Sequence, residues 1–167
     1  KIEGRYKDLG YVKNITAHYR REIDRFLEIN GDYRAASSGK TTLFFTPNPD
    51  KTFHRGTTDY FVNDRKTDIG AFDSPKFVGL PIGTVTRLGN SWFEMEANEP
   101  LANGDGLNYM HKRDVIGLPI NVAEKKGDVW RCTPNVPLAE LPGLKPGTAI
   151  NRNGDHTWEL LLTKKSA

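Results

Sequence analysis

Apolar side chains recur at steps of three and four residues between positions 9 and 29, and charged side chains fill most of the positions between them. This spacing places the apolar residues on one face of an α-helix. The helix is predicted to end at Asn30-Gly31, because these residue types commonly follow a helix. The predicted apolar stripe consists of Leu9, Val12, Thr16, Tyr19, Ile23 and Phe26.

From position 81 onward, the pattern changes to short segments rich in β-branched and aromatic residues, separated by glycine, asparagine and proline turns. The six predicted strands are residues 81–88, 91–97, 118–124, 128–134, 148–153 and 156–163. Short strands whose edges must be covered predict one closed antiparallel barrel over residues 81–163. Its candidate inward side chains are Trp92, Phe93, Val122, Trp130 and Leu160–Leu162, and the turn Asn103-Gly104-Asp105-Gly106 is expected to need a positive φ.

The predicted fold class is therefore mainly β with an N-terminal helix (α+β), built around a small six-stranded antiparallel β-barrel. Residues 31–40 are small and polar, and residues 41–80 follow no regular period. The chain is accordingly divided into a helical segment, residues 1–30, a linker and irregular adaptor, residues 31–80, and the barrel, residues 81–167.

Charge and cysteine content restrict the function classes. Lys and Arg number 24 against 21 Asp and Glu, a net charge of +3 that permits a polyanionic partner but favours it only weakly. The single cysteine, Cys132, excludes an intramolecular disulfide and a cysteine-ligated metal site within the chain. No apolar run approaches the roughly 20 residues of a membrane helix, and the charged opening segment lacks a signal-peptide core. We expect a cytoplasmic protein without a metal ion or cofactor in this chain.

Two groups of residues have side chains suited to binding RNA or another substrate. In the segment from position 53 to 60, Arg55 can grip a phosphate, and Phe53, His54 and Tyr60 offer stacking faces. The alternative is that Arg55 pairs with Asp59 and that the aromatic residues pack internally. The second group is basic: Lys112 and Arg113 follow His111, and together with Lys125-Lys126 and Lys164-Lys165 they could form one basic face or remain solvated.

Two motifs resemble the collagenase-like peptidase family, also called peptidase family U32. The first begins with Lys-Ile-Glu-Gly-Arg and continues into the predicted helix, and the second is a Phe-His-Arg-Gly segment. The matching residues are Lys1 to Arg5, Lys7, Tyr11-Val12, Tyr19-Arg20 and Ile23-Asp24, then Phe53, His54, Arg55, Gly56 and Thr58. The segments after position 100 resemble the C-terminal barrel of long-form members, which is similar to translation-factor barrels.

The resemblance implies that residues 1–30 are the last strand and helix of a TIM-like catalytic barrel that lies upstream. Glu3 and Arg5 would then be remnants of the active site of that barrel, since such sites lie at the C-terminal ends of the strands. Members are named as proteases, but several resemble enzymes that hydroxylate a pyrimidine in transfer RNA or a cytidine in large-subunit ribosomal RNA. The resemblance also implies an iron–sulfur cluster in the upstream barrel.

Three functions remain open at this stage. The first, which we favour, is an accessory module that docks ribosomal RNA to the upstream catalytic barrel for cytidine hydroxylation. The second is a non-catalytic fragment of a collagenase-like protease that positions a polypeptide. The third is a structural domain, for which the exposed N-terminal helix would serve as a homodimer contact. No Ser-His-Asp, Cys-His or metal–water set is apparent, so the chain by itself is expected to be inactive.

Overall fold

The computed structural model describes residues 7–54, 62 and 78–164. Helix α1 spans Leu9–Ile29, which confirms the predicted helix and its end. Asp8 caps the helix by accepting a hydrogen bond of 2.7 Å from the amide of Tyr11, and Asn30 lies at the other end. Residues 31–48 contain neither helix nor strand, and a short 3₁₀ turn follows at Pro49–Lys51.

The rest of the described chain is a closed antiparallel barrel of six strands, as predicted. The strands are β1 (Leu80–Leu88), β2 (Phe93–Ala97), β3 (Gly106–His111), β4 (Asp114–Lys126), β5 (Val129–Pro134) and β6 (Ala149–Gly154). Their order around the barrel is β1-β2-β5-β4-β3-β6, with β6 pairing back to β1. The predicted tight turn also forms, and Gly104 in it has a φ of +88°.

Two of the predicted elements need correction. The segment 156–163 is not a strand but helix α2 (His156–Thr163), because Asp155 caps it by accepting from the amide of Trp158 at 3.0 Å. Trp158 and Leu162, four residues apart, are its buried side chains, whereas Leu160 is 54% exposed. The barrel still has six strands because the sequence analysis omitted one, β3, which directly follows the turn that contains Gly104.

The barrel core contains Phe93 as predicted, together with Met95, Tyr109 and Ile150. Val122 was expected to point inward but is 39% exposed, because a register irregularity between Ile120 and Val122 interrupts the alternation along β4. Trp92 and Trp130 are half-buried, and Trp130 packs against the core.

Strand β4 extends along the whole barrel, so the turns at its two ends lie at opposite ends of the barrel. Its first half pairs with β3 and its second half with β5, and its 13 residues would extend roughly 40 Å if straight. We call the end that contains the β1–β2 turn, the β3–β4 turn and the connection 135–148 the turn end. The opposite end, where β2 and β6 finish and α2 begins, is called the helix end.

Helix α1 packs on the rest of the chain through polar contacts. Its buried residues are Asn14 and Ala17. The Asn14 side chain donates to the carbonyl of Asn48 at 2.7 Å and accepts from the Asn48 amide at 2.8 Å. Tyr19 and Ile23 on the predicted stripe are 54% and 49% exposed. Among the described residues, no helix has the length and apolar character needed to cross a membrane.

Candidate nucleic-acid interface

At the helix end, five charged side chains form one closed network. The Arg152 side chain is 4% exposed and forms ion pairs with Glu99, with Asp105 at 3.5 Å and with Asp155 at 3.3 Å. Lys51 lies 2.6 Å from Asp155 and 3.8 Å from Glu99. These contacts join the 3₁₀ turn, strand β6 and the start of α2, so the network stabilises the fold.

Asp155 is the centre of this network and also caps α2. Burial by itself would raise the pKa of Asp155, but the hydrogen bonds from Lys51 and from the Trp158 amide, with the charge of Arg152, hold that pKa below its ordinary value. The carboxylate is therefore fully engaged by groups within the chain.

A second charged group crosses the outer face of β1, β2 and β5. Glu94 accepts hydrogen bonds from Arg131 at 2.7 and 3.1 Å and from Arg87 at 3.3 Å. The hydrogen bond from Arg131 is the main reason why the pKa of Glu94 is lowered. Both guanidinium groups also lie near the indole ring of Trp92, 4.2 Å from its centroid for Arg131 and 4.9 Å for Arg87. Glu94 thus pairs with one arginine on each neighbouring strand, and such cross-strand pairs stabilise a sheet.

The turn end carries a groove of about 350 Å³, which we call the β3–β6 groove. Its walls are the end of β3, the β3–β4 turn, the connection 135–148 and the start of β6. The lining residues are Met110, His111, Lys112, Gly143, Lys145, Thr148, Ala149 and Asn151. This volume falls within the roughly 300–1,000 Å³ of small-ligand sites.

The connection 135–148 is fixed firmly against the barrel. The hydroxyl of Tyr109, a fully buried residue, donates to the carbonyl of Pro142 at 2.9 Å. Gly143 has a φ of +73°, and a Cβ at this position would lie 2.0 Å from Nδ1 of His111. Only glycine therefore fits here, both for its backbone conformation and for its contact with the imidazole ring.

The part of the connection that presents Lys145 is a closed turn bound to β1. The amide of Lys145 donates to the Thr148 hydroxyl at 3.1 Å, and the amide of Thr148 donates to the Lys145 carbonyl at 3.0 Å. The amide of Val85 donates to the carbonyl of Thr148 at 2.9 Å, and its carbonyl accepts from Gly147 at 2.8 Å. The groove is therefore formed before any ligand arrives.

The cations at this groove differ from those at the helix end. Within residues 7–54, 62 and 78–164, no carboxylate lies within 4.0 Å of the side-chain nitrogens of Lys112, Arg113 or Lys145. Lys112 also has a φ of +56°, and it is the one non-glycine residue in the described part of the chain with a positive φ. Such a conformation costs an L-residue about 1–2 kcal/mol.

The structure does not unite the predicted basic residues on one face. Lys112 and Arg113 form the β3–β4 turn at the turn end. Lys125 and Lys126 end β4 at the opposite end of the barrel, and Lys164 follows α2. The basic residues therefore occupy separate places: Lys112 lines the β3–β6 groove, whereas Lys164 lines a different cavity, of about 400 Å³, beside α1.

The residues predicted in the adaptor are described only in part. The ring of Phe53 lies under the ammonium group of Lys7, with 3.6 Å from Nζ to the ring centroid. Nε2 of His54 lies 3.8 Å from Oδ1 of Asp50. Arg55 and Tyr60, like Glu3 and Arg5, lie outside the described residues.

Sequence reasoning missed Lys145, Thr148 and Asn151 as groove residues. A signal was present for Lys145, because Pro142-Gly143 and Pro146-Gly147 flank it and indicate a tightly turned, exposed position. No comparable signal marked Asn151, whose place in the groove follows from its pairing with Asn108 across β6 and β3.

Comparison with known proteins finds one family model and one curated relative that match the chain. The model of peptidase family U32 matches residues 1–71. The chain is also 55% identical, over 168 residues, to the 23S rRNA 5-hydroxycytidine C2501 synthase of Escherichia coli (strain K12). The resemblance to peptidase family U32 is confirmed. The match covers all of this chain and 26% of that relative, so the chain spans about a quarter of the relative's length.

The U32 match and the candidate groove lie in different parts of the chain. The family model covers α1 and the adaptor, whereas the lining of the groove begins at Met110. The groove therefore lies outside the region that the family model matches and inside the region that is similar to the rRNA-modifying relative.

The family resemblance implies an iron–sulfur cluster in the upstream barrel, and the part of this chain that the structure describes offers no fitting set of ligands for one. The only cysteine, Cys132, is fully buried in the barrel core, where burial and the nearby Asp105 charge raise the pKa of its thiol to about 12. Among the described residues, no three His, Cys, Asp or Glu side chains form a group that could hold a metal ion.

Proposed function

We propose that this chain is the RNA-docking module of a U32-family protein that hydroxylates a cytidine in large-subunit ribosomal RNA. The observation that carries the proposal is the group of three cations at the turn end, Lys112, Arg113 and Lys145, which have no carboxylate partner in the described structure. Unpaired cations around a preformed groove suit the phosphates of RNA. The whole-chain similarity to an rRNA-modifying enzyme supplies the choice of RNA.

The chemistry is assigned to an upstream catalytic barrel of the same protein, with any iron–sulfur cluster held there. Glu3 and Arg5 would contribute to that barrel, and Arg55 and Tyr60, with Phe53 and His54, would add contacts to the RNA. Such a protein would act on ribosomal RNA in the cytoplasm.

Helix α1 is the proposed contact with the upstream barrel. Its exposed apolar residues Tyr19, Ile23 and Phe26 lie on the face that does not pack on the rest of the chain. Light scattering on the 167-residue chain and on Ile23→Glu tests this contact. If the 167-residue chain and Ile23→Glu are both monomers, the exposed helix remains available to an upstream barrel. If the chain is a dimer and Ile23→Glu disrupts it, the helix joins two copies instead.

RNA binding is tested by titrating the chain with a 23S rRNA fragment that contains position 2501, and with an unrelated RNA of equal length. Filter binding at several salt concentrations should show tighter binding to the first RNA. Each phosphate contact should contribute about −0.7 to the slope of log affinity against log salt. Equal affinity for both RNAs, or no binding at low salt, would contradict the proposal.

A further inference from the structure

We propose that the β3–β6 groove binds one nucleotide step of single-stranded RNA, with Lys112 and Lys145 on the phosphodiester and with Met110 and Asn151 against the nucleobase. This inference rests on the proposed function, which names RNA as the partner, and adds where and how the RNA is held. Three features of the groove support it.

The first feature is the placement of charge. Lys112 belongs to the β3–β4 turn and Lys145 to the connection 135–148, so two separate elements each contribute a lysine to the lining of one groove. The residues that line the groove include no carboxylate. At the helix end, by contrast, Lys51 and Arg152 are paired within the chain. The groove is therefore selective for an anion that comes from outside.

The second feature is the backbone conformation of Lys112. A glycine would adopt its φ of +56° without strain, yet a lysine occupies the position. Strained residues persist where the surrounding structure holds them and where the side chain has a use. The two-residue β3–β4 turn requires a positive φ, and because a lysine rather than a glycine takes this position, the turn adds a cation to the lining of the groove.

The third feature distinguishes RNA from an acidic peptide. Met110 is 44% exposed and lines the groove together with Asn151, whose side-chain amide donates only a long hydrogen bond of 3.5 Å to Asn108. A nucleobase has a flat apolar face for the thioether and a polar edge for the amide. Polyglutamate offers carboxylates to the lysines but has no flat ring to lie against the thioether.

The chain carries a natural probe for this site. It has two methionines, Met110 in the groove and Met95 fully buried in the core, so a sample with ¹³C-labelled methionine methyl groups gives one reporter and one internal control. Titration with a short single-stranded segment of the 23S rRNA fragment should shift the Met110 signal and leave the Met95 signal unchanged. Polyglutamate should leave both signals in place.

Three single variants then test the role of charge. Lys112→Gly and Lys145→Ala should each weaken RNA binding several-fold and reduce the salt slope by at most about 0.7, because both lysines contact one phosphodiester. Lys126→Ala removes the same charge at the other end of β4, where Lys126 pairs with Glu124 at 2.9 Å, and it should bind RNA like the parent. Since glycine relieves the strain at position 112, Lys112→Gly should melt no lower than the parent.

Several outcomes would overturn the proposal. An equal loss of affinity in Lys126→Ala would mean that charge acts diffusely. RNA binding without a shift of Met110 would place the RNA elsewhere, so the groove assignment would fail while the docking function stands. A shift of Met110 by polyglutamate as large as that by RNA would favour an acidic peptide. Absence of any RNA binding would overturn both the docking function and the groove.

Discussion

The two ends of the barrel use charged residues in opposite ways. At the helix end, Lys51 and Arg152 meet Glu99, Asp105 and Asp155 within 3.8 Å, and the network joins three elements of the fold. At the turn end, the cations beside the groove have no carboxylate partner in the described part of the chain. Similar residue types therefore support the fold at one end and remain available to a partner at the other.

The largest expected effect comes from removing the central cation of the helix end. Arg152→Met would leave Asp105, which is 1% exposed, without its cation. Removing one partner of a buried pair typically costs about 3–5 kcal/mol of unfolding free energy. Urea unfolding would measure this loss.

The matched control is Arg113→Met at the turn end, where the side chain has no ion pair among the described residues. Its unfolding free energy should stay within about 0.5 kcal/mol of the parent value. Similar losses in both variants would contradict the contrast between the two ends.

An intermediate effect is expected at the connection that forms the groove. Gly143→Ala introduces a Cβ that would meet the His111 ring at a φ of +73°, so we expect a loss of about 1–3 kcal/mol in unfolding free energy. Gly117→Ala in β4 is the control, because a Cβ there meets no atom within 4 Å. If thermal melting found both variants equally stable, the connection would not be fixed as described.

The smallest effect concerns pH at the helix end. The pKa of Asp155 is below its ordinary value of 3.8 in the folded chain, so its contribution to stability is present above pH 3.8 and is lost as the pH falls through the folded pKa. Asp155→Asn retains a good helix cap but removes the titrating group.

Chemical unfolding at neutral and acidic pH would measure this dependence. The parent should exceed Asp155→Asn in stability at neutral pH, and the difference should shrink on acidification below pH 3.8. A difference that does not change with pH would mean that the ionisation of Asp155 does not contribute to the stability.

Local sequence signals were sufficient for α1 and for the barrel class. The period of three and four ends at Asn30-Gly31, and α1 ends at Ile29. Turn residues marked most of the strand ends. They were misleading at residues 153–155, where Asp155 caps a helix, because the run Leu160–Leu162 fits a buried strand and a short helix equally well.

The β3–β6 groove could not be predicted because it depends on strand register. Met110 and Asn151 are far apart in sequence, and they reach one groove only through the pairing of β3 with β6. The conformation of Lys112 carries no sequence signal, since lysine is not a residue typical of positive φ. Lys112 and Arg113 were selected for their charge, and it is the fold that separates them from Lys125 and Lys126.

The pairing of the first strand with the last has a consequence for how such a barrel can be exchanged between proteins. Leu80 is the direct partner of Arg152, so the polypeptide enters and leaves the barrel on adjacent strands, about 5 Å apart. Because the two ends of the barrel segment lie side by side, the segment could be inserted into a protein or deleted from it while the elements on either side stay close together. Among the described residues, the barrel joins α2 at the helix end, so the far end, which carries the groove, can change in sequence without altering that junction.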